Sequence, residues 1–219
     1  MDDLSKEIRE TLHRPKEFSD ILEEQIHHGQ KEHDKSNFRL FISAFSAGLE
    51  VGFSVFLMAI FYTLFHGQIP DANLYLLISV TYSLGFIFVV IGRSNLFTEL
   101  TSRAVLPVLN KTATLSSLGQ LWGVIYAGNL IGGFLFSFLL VFLMPAIGTI
   151  SPEAIEQLAL KIVKYDWQIM LCSGIVAGWL MGLLSWLVTS AQETISRIFI
   201  VILITTCLLY TSPSPRDHQ

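Results

Sequence analysis

The feature that most constrains this chain is an apolar tract from about Leu74 to Leu109 in which a polar octet is embedded: Gly92, Arg93, Ser94, Asn95, Leu96, Phe97, Thr98 and Glu99. As one continuous helix the tract would extend roughly 54 Å, against a hydrocarbon core of about 30 Å, so a single straight span cannot use it. Unwound backbone at membrane depth is tolerated only where protein or a water-filled cavity satisfies its N–H and C=O groups. The octet therefore predicts a helix that breaks inside the membrane, with a pore beside the break.

The surrounding sequence supports a membrane setting. With 52% hydrophobic and 15% charged residues in 219, the chain is too apolar for an ordinary soluble domain and fits a single all-α polytopic membrane protein. Spans are expected at about 38–65, at 74–109 with the break at 92–99, at 115–144, at 167–189, and in part at 195–206. Lys6, Arg9, Arg14, Lys16, Lys31, Lys35 and Arg39 precede the first span, Arg103 and Lys111 flank the second turn, and only Lys161 and Lys164 fall on the other side. The positive-inside rule then puts the N-terminus in the cytoplasm.

Residues 1–37 hold much of the charge and have no apolar core of a cleaved signal peptide. From Ser19 they read as an amphipathic helix, with Ile21, Leu22, Gln25 and Ile26 at helical spacing. A solvated, mixed-charge helix on the cytoplasmic rim is the expectation, and pH or metal sensing the alternative. His27, His28 and His33 lack the i, i+4 spacing of a helical metal pair, and Cys172 is alone in its span, so neither a metal site nor a cofactor is implied.

Several small or polar residues interrupt the spans. Gly48 and Gly52, then Gly128 and Gly132, form Gly-x-x-x-Gly pairs that let another helix approach closely. Gly174, Gly178 and Gly182 make a continuous ridge expected to pack against a neighbouring span. Asn129, between its glycines, is either an interhelical bond or a substrate contact. Glu50 and Glu99 are intramembrane carboxylates and hence functional candidates, although a paired structural role for Glu50 is an equal reading.

The octet also resembles a known motif. Gly92, Leu96, Phe97 and Thr98 are similar to the Leu-Phe-Thr loop that interrupts the second helix of the formate/nitrite transporter family. Tyr82-Ser83-Leu84-Gly85-Phe86 resembles the half-helix before that loop, and Gly119 to Trp122 with Tyr126 to Gly132 resembles the third helix. The likeness runs from about Phe38 to Thr206, and Arg93, Glu99 and the charged N-terminus look closer to an inner-membrane branch than to the formate channels. Gly178 stands where the formate channels carry Asn, which leaves formate itself open.

The resemblance implies an aquaporin-like helical bundle assembled as a homopentamer in a bacterial-type inner membrane. Each protomer would conduct small monovalent anions such as formate, nitrite, hydrosulfide or short carboxylates, with the lipid bilayer and the anion as partners and no nucleic acid. By position, Tyr82 and Phe86 would form the outer constriction, and Leu96 and Phe97 the inner one. Thr98 would offer a hydroxyl to the anion or to a histidine, with Asn95 and Arg93 as further anion contacts. Arg93 would otherwise pair with Glu99, six residues on. The alternative is a non-transporting membrane scaffold or accessory subunit; a water channel lacks its Asn-Pro-Ala repeat, and no enzyme motif occurs.

From Cys207 the text changes character. Pro213 and Pro215 cannot continue a helix, and Arg216 and Asp217 would fall at membrane depth. Residues 207–219 are similar to one reading frame of a sequencing adapter, so the bundle is expected to be incomplete after the start of the fifth helix and non-functional as written. The pore histidine that the resemblance implies would lie beyond Thr206.

Overall fold

The computed structural model describes residues 16–163 and 166–211, with the side chains of 161–163 and 211 left aside. Among the described residues the secondary structure is helical throughout. An N-terminal helix α1 (Phe18–His33) precedes the first span α2 (Asn37–Phe65). The second span is divided into α3 (Asp71–Thr81), α4 (Ser83–Gly92) and α5 (Phe97–Leu109). Then come α6 (Leu115–Ala146), a surface helix α7 (Pro152–Val163), α8 (Trp167–Ser190) and α9 (Thr194–Thr211). Four stretches are long and apolar enough to cross a membrane: Asn37–Phe65, Asp71–Leu109, Leu115–Ala146 and Trp167–Ser190.

α2 and α6 form the spine. A Cβ on Gly132 would stand 2.2 Å from the Phe45 carbonyl oxygen, and one on Gly48 would stand 2.4 Å from the Asn129 carbonyl oxygen. On Gly128 it would meet Ala44 Cβ at 2.7 Å, and on Gly52 it would strike the Phe136 ring. Gly48 and Gly132 thus face each other backbone on backbone, with Gly128 against Ala44 and Gly52 against the Phe136 ring, so an added side chain would force the helices apart.

Three apolar clusters surround this spine. Met58, Tyr62, Leu74, Ile78, Leu140 and Ile150 fill the end nearest α7. Leu40, Leu100, Ala104, Leu118, Leu121 and Ile125 join α2, α5 and α6. Phe86, Met181, Leu184, Val201 and Ile204 join α4, α8 and α9.

Three features differ from the sequence expectation. The glycine ridge of α8 does not pack against a neighbouring span within the chain: a Cβ on Gly174 or Gly178 meets nothing within 4 Å, and one on Gly182 only Ser102 at 3.9 Å. Gly spacing permits close approach but supplies no partner, and the outer half of α8 is exposed, with Trp179 at 77%. The N-terminal helix is docked rather than solvated, burying Ile21, Gln25 and Gly29. α9 runs five residues past Thr206, through the free and exposed Cys207, to Thr211. The tail beyond that point and residues 1–15 of the charged segment lie outside the described residues.

Candidate functional site

The break occupies residues 93–96 between α4 and α5, narrower than the octet that foretold it. Arg93 closes α4 in the left-handed region, φ 58°, an uncommon conformation for a residue with a side chain. Leu96, extended at φ −90° and ψ 126°, starts α5 but has no side chain able to cap it.

The cap comes from another helix. Asn129 of α6 accepts a hydrogen bond from Phe97 N at 2.7 Å through Oδ1, satisfying one of the orphan N–H groups of a helix start. Its Nδ2 donates to the Asn95 carbonyl at 2.9 Å and to the Ala44 carbonyl at 2.7 Å. Asn129 therefore binds α2, α6 and the break together, which selects the interhelical reading.

Serines of α2 hold the other side. Ser43 Oγ accepts from Asn95 N at 3.1 Å. Ser46 and Ser94 both donate to Glu50 Oε1, at 2.9 and 2.8 Å. Glu50 Oε2 is buried and has no hydrogen-bond partner among the described residues. The carboxylate faces the break, since a Cβ on Gly92 would lie 3.9 Å from Oε1.

The expected anion contacts are redistributed. Asn95 is only 4% exposed, and its amide donates to Glu32 Oε2 of α1 at 2.9 Å, a structural bond in place of an anion contact. Glu99 does not pair with Arg93. Its partner is Arg103, whose Nη2 lies 2.9 Å from Oε1, because i and i+4 share a helix face whereas Arg93 precedes the turn in the chain. Arg93 itself is exposed and forms no ion pair among the described residues. Thr98 is exposed at the start of α5.

The constriction residues divide as well. Tyr82 and Phe86 meet as tilted rings, 57° between planes, at a centroid distance of 5.1 Å, and with Leu96 they pack into the cluster shared by α4, α8 and α9. Phe97 does not join Leu96 there. Leu96 is still extended whereas Phe97 is the first helical residue, and Phe97 turns to α6, meeting Tyr126 and Trp122 edge-on at 5.2 and 6.3 Å.

A second polar layer follows along α5, built largely from residues the sequence did not single out. Gln25 Nε2 donates to the Ser185 carbonyl at 2.8 Å and to Thr189 Oγ1 at 2.7 Å, while Arg103 Nε donates to Gln25 Oε1 at 3.2 Å. Arg103 Nη2 also reaches Ser185 Oγ at 3.0 Å. Pro107 has no N–H for the carbonyl of Arg103, and α1 crosses there: a Cβ on Gly29 would lie 2.5 Å from that oxygen. His33 lies 2.7 Å from Ser117 Oγ and 2.9 Å from the Ala104 carbonyl. His28 has its pKa lowered, first by burial and then by the Arg103 guanidinium, with Glu24 opposing. The Ile21, Gln25 and Gly29 register was the available signal for this docking.

The formate/nitrite transporter family model matches residues 19–212. The chain belongs to the formate/nitrite transporter family. It is 33% identical over 180 residues to the inner membrane protein YfdC of Escherichia coli strain K12, covering 81% of this chain and 56% of YfdC. The chain thus spans a little over half the length of that curated relative. Among solved structures, an ion channel of the same family superposes with a TM-score of 0.76 at 17% identity, covering 90% of this chain and 78% of that one. A pentameric formate channel with formate bound gives 0.65 at 26% identity, covering 78% and 68%. These likenesses establish the broken-helix bundle of a multi-pass membrane protein and a transporter family in place of an enzyme family.

Proposed function

We propose that the protein is a pentameric channel or transporter for small monovalent anions in a bacterial-type inner membrane, with its N-terminus in the cytoplasm. The observation that carries this reading is the start of α5 inside the second span. There Asn129 satisfies Phe97 N, and Thr98 stands exposed beside it. A helix N-terminus at membrane depth presents partial positive charge, which favours an anion where lipid would exclude it.

The apolar cluster of Tyr82, Phe86, Leu96, Met181, Leu184, Val201 and Ile204 supplies the opposing requirement. A pathway lined this way excludes water and bare ions, so an acid passes most readily as its neutral form. Pentamer formation and formate as cargo are properties of the solved relative named above and support the reading by likeness. Formate, nitrite, hydrosulfide and short carboxylates remain the candidate cargo class.

The test is flux in proteoliposomes loaded with the purified protein. Swelling driven by formate or nitrite, and reduced at least about tenfold when Leu96 is replaced by Trp, is the expected result. A folded pentamer without anion flux would point to a membrane scaffold.

A further inference from the structure

We propose that Arg103 and Ser102 form an anion-binding subsite in the cavity between α1, α5 and α8, one to two turns beyond the break. The cavity measures about 150 Å³ and is lined by Leu22, Gln25, Ser102, Arg103, Leu106 and Gly182, closed by Ser185 and Trp186. It has room well beyond the ~10–15 Å³ that one water requires.

The lining is mostly apolar, and its few polar groups are one-sided in chemistry. Gln25 Oε1 already accepts from Arg103 Nε at 3.2 Å and from Ser185 Oγ at 3.4 Å. The Gln25 amide donates to Ser185 and Thr189. Arg103 uses Nη2 on Glu99 and Ser185, which leaves Nη1 without a protein acceptor among the described residues. Ser102, exposed at the rim, has no hydrogen-bond partner for Oγ among the described residues, and that atom lies 3.9 Å from where a Gly182 Cβ would be. What remains available to a ligand is a guanidinium amino group and a hydroxyl, both donors.

Glu99 holds Arg103 in place through its other amino group and does not line the cavity. The remaining charges nearby are the Lys16–Glu24 pair and His28 on α1. A small carboxylate or nitrite fits this arrangement, accepting from Arg103 and Ser102 while its carbon or nitrogen rests on Leu22 and Trp186. Leu184 belongs to the apolar cluster and Ser185 to this cavity, so the two layers adjoin along α8. The subsite would be where an anion waits before entering the dry segment. Its physiological ligand rests on the channel reading above; its geometry does not.

Trp186 makes the test direct, since it lines the cavity. Trp122, Trp167 and Trp179 are replaced by Phe in the full chain, and emission is followed in detergent as sodium formate replaces gluconate at constant ionic strength. A saturable change is expected. Arg103→Lys, which keeps the charge beside Glu99, should raise the half-saturation concentration about tenfold, the usual effect of losing one charge-assisted bond. Gly182→Ala, whose methyl enters without a clash, should raise it as well. A linear response, or one unchanged in both variants, would overturn the subsite. Liposome flux on the same proteins separates the two ideas: flux without the saturable response removes the subsite alone, and the response without flux removes the channel reading alone.

Discussion

Replacing Asn129 by Leu tests whether α6 builds the break or merely adjoins it. The two side chains have the same number of heavy atoms and the same branch point, so Leu keeps the outline of the branch while losing every hydrogen-bonding group. The three hydrogen bonds to Phe97 N, the Asn95 carbonyl and the Ala44 carbonyl disappear. Ala44 lies within α2 and keeps its helical partner, whereas Phe97 N and the Asn95 carbonyl are left in a low-dielectric site with none. At about 1–3 kcal/mol for each orphaned group, less a small gain from the apolar side chain, the cost comes to about 3 kcal/mol. For a chain of this size that corresponds to about 6–12 °C in apparent melting temperature. Differential scanning fluorimetry in detergent reads it directly. Asn129→Asp provides the internal control: it keeps the acceptor for Phe97 N but turns an anionic oxygen on two carbonyls, and it should melt no higher than the Leu variant. An Asn129→Leu protein within about 2 °C of wild type would show that the break stands without its cap, and the reasoning would fail.

Gly132→Val should abolish recovery of folded protein, because its Cβ would sit 2.2 Å from the Phe45 oxygen, whereas Gly178→Ala should change stability by less than about 0.5 kcal/mol; detergent-extracted yield and melting compare them. Gln25→Leu removes the amide that ties α1 to Ser185 and Thr189, and should expose α1 to protease at least about tenfold faster with the spans intact. The His28 pKa is lowered in the folded state, so docking should be fully stabilised above the unfolded value of 6.5 and weaken as pH falls through the folded one. A spin label on α1 would follow this, and His28→Gln should flatten the profile.

The break was legible because length and polarity conflict within one stretch: Leu74 to Leu109 is too long for a span and Gly92 to Glu99 too polar for its middle. The Gly48, Gly52, Gly128 and Gly132 seam was legible for a similar reason, since a missing side chain is visible in the sequence. What a helix touches is not. Gly174 and Gly178 carry the same spacing as Gly128 and Gly132 yet face open space within the chain, because spacing records what a surface permits. Leu96 and Phe97 are adjacent in sequence and diverge in space at the start of α5. The Glu99–Arg103 pair joins the last residue of the octet to one outside it, and its i, i+4 spacing is visible in the sequence. The docking of α1 depended on contacts with Ser185, 160 residues away, for which local periodicity holds no record.

That separation has a consequence for how the molecule is made. Gln25 of α1 meets the Ser185 carbonyl only after the fourth span has been synthesised. Phe97 waits a shorter interval, 32 residues, for Asn129. Until Asn129 is made the nascent chain must hold an uncapped half-helix within the translocation machinery, whereas α1 can already lie on α5 through Gly29 and His33. At ~5–20 residues per second, Gln25 waits about 10–30 s for Ser185. The contacts of α1 with α5 can therefore form before its tie to α8, and the break is capped between the two.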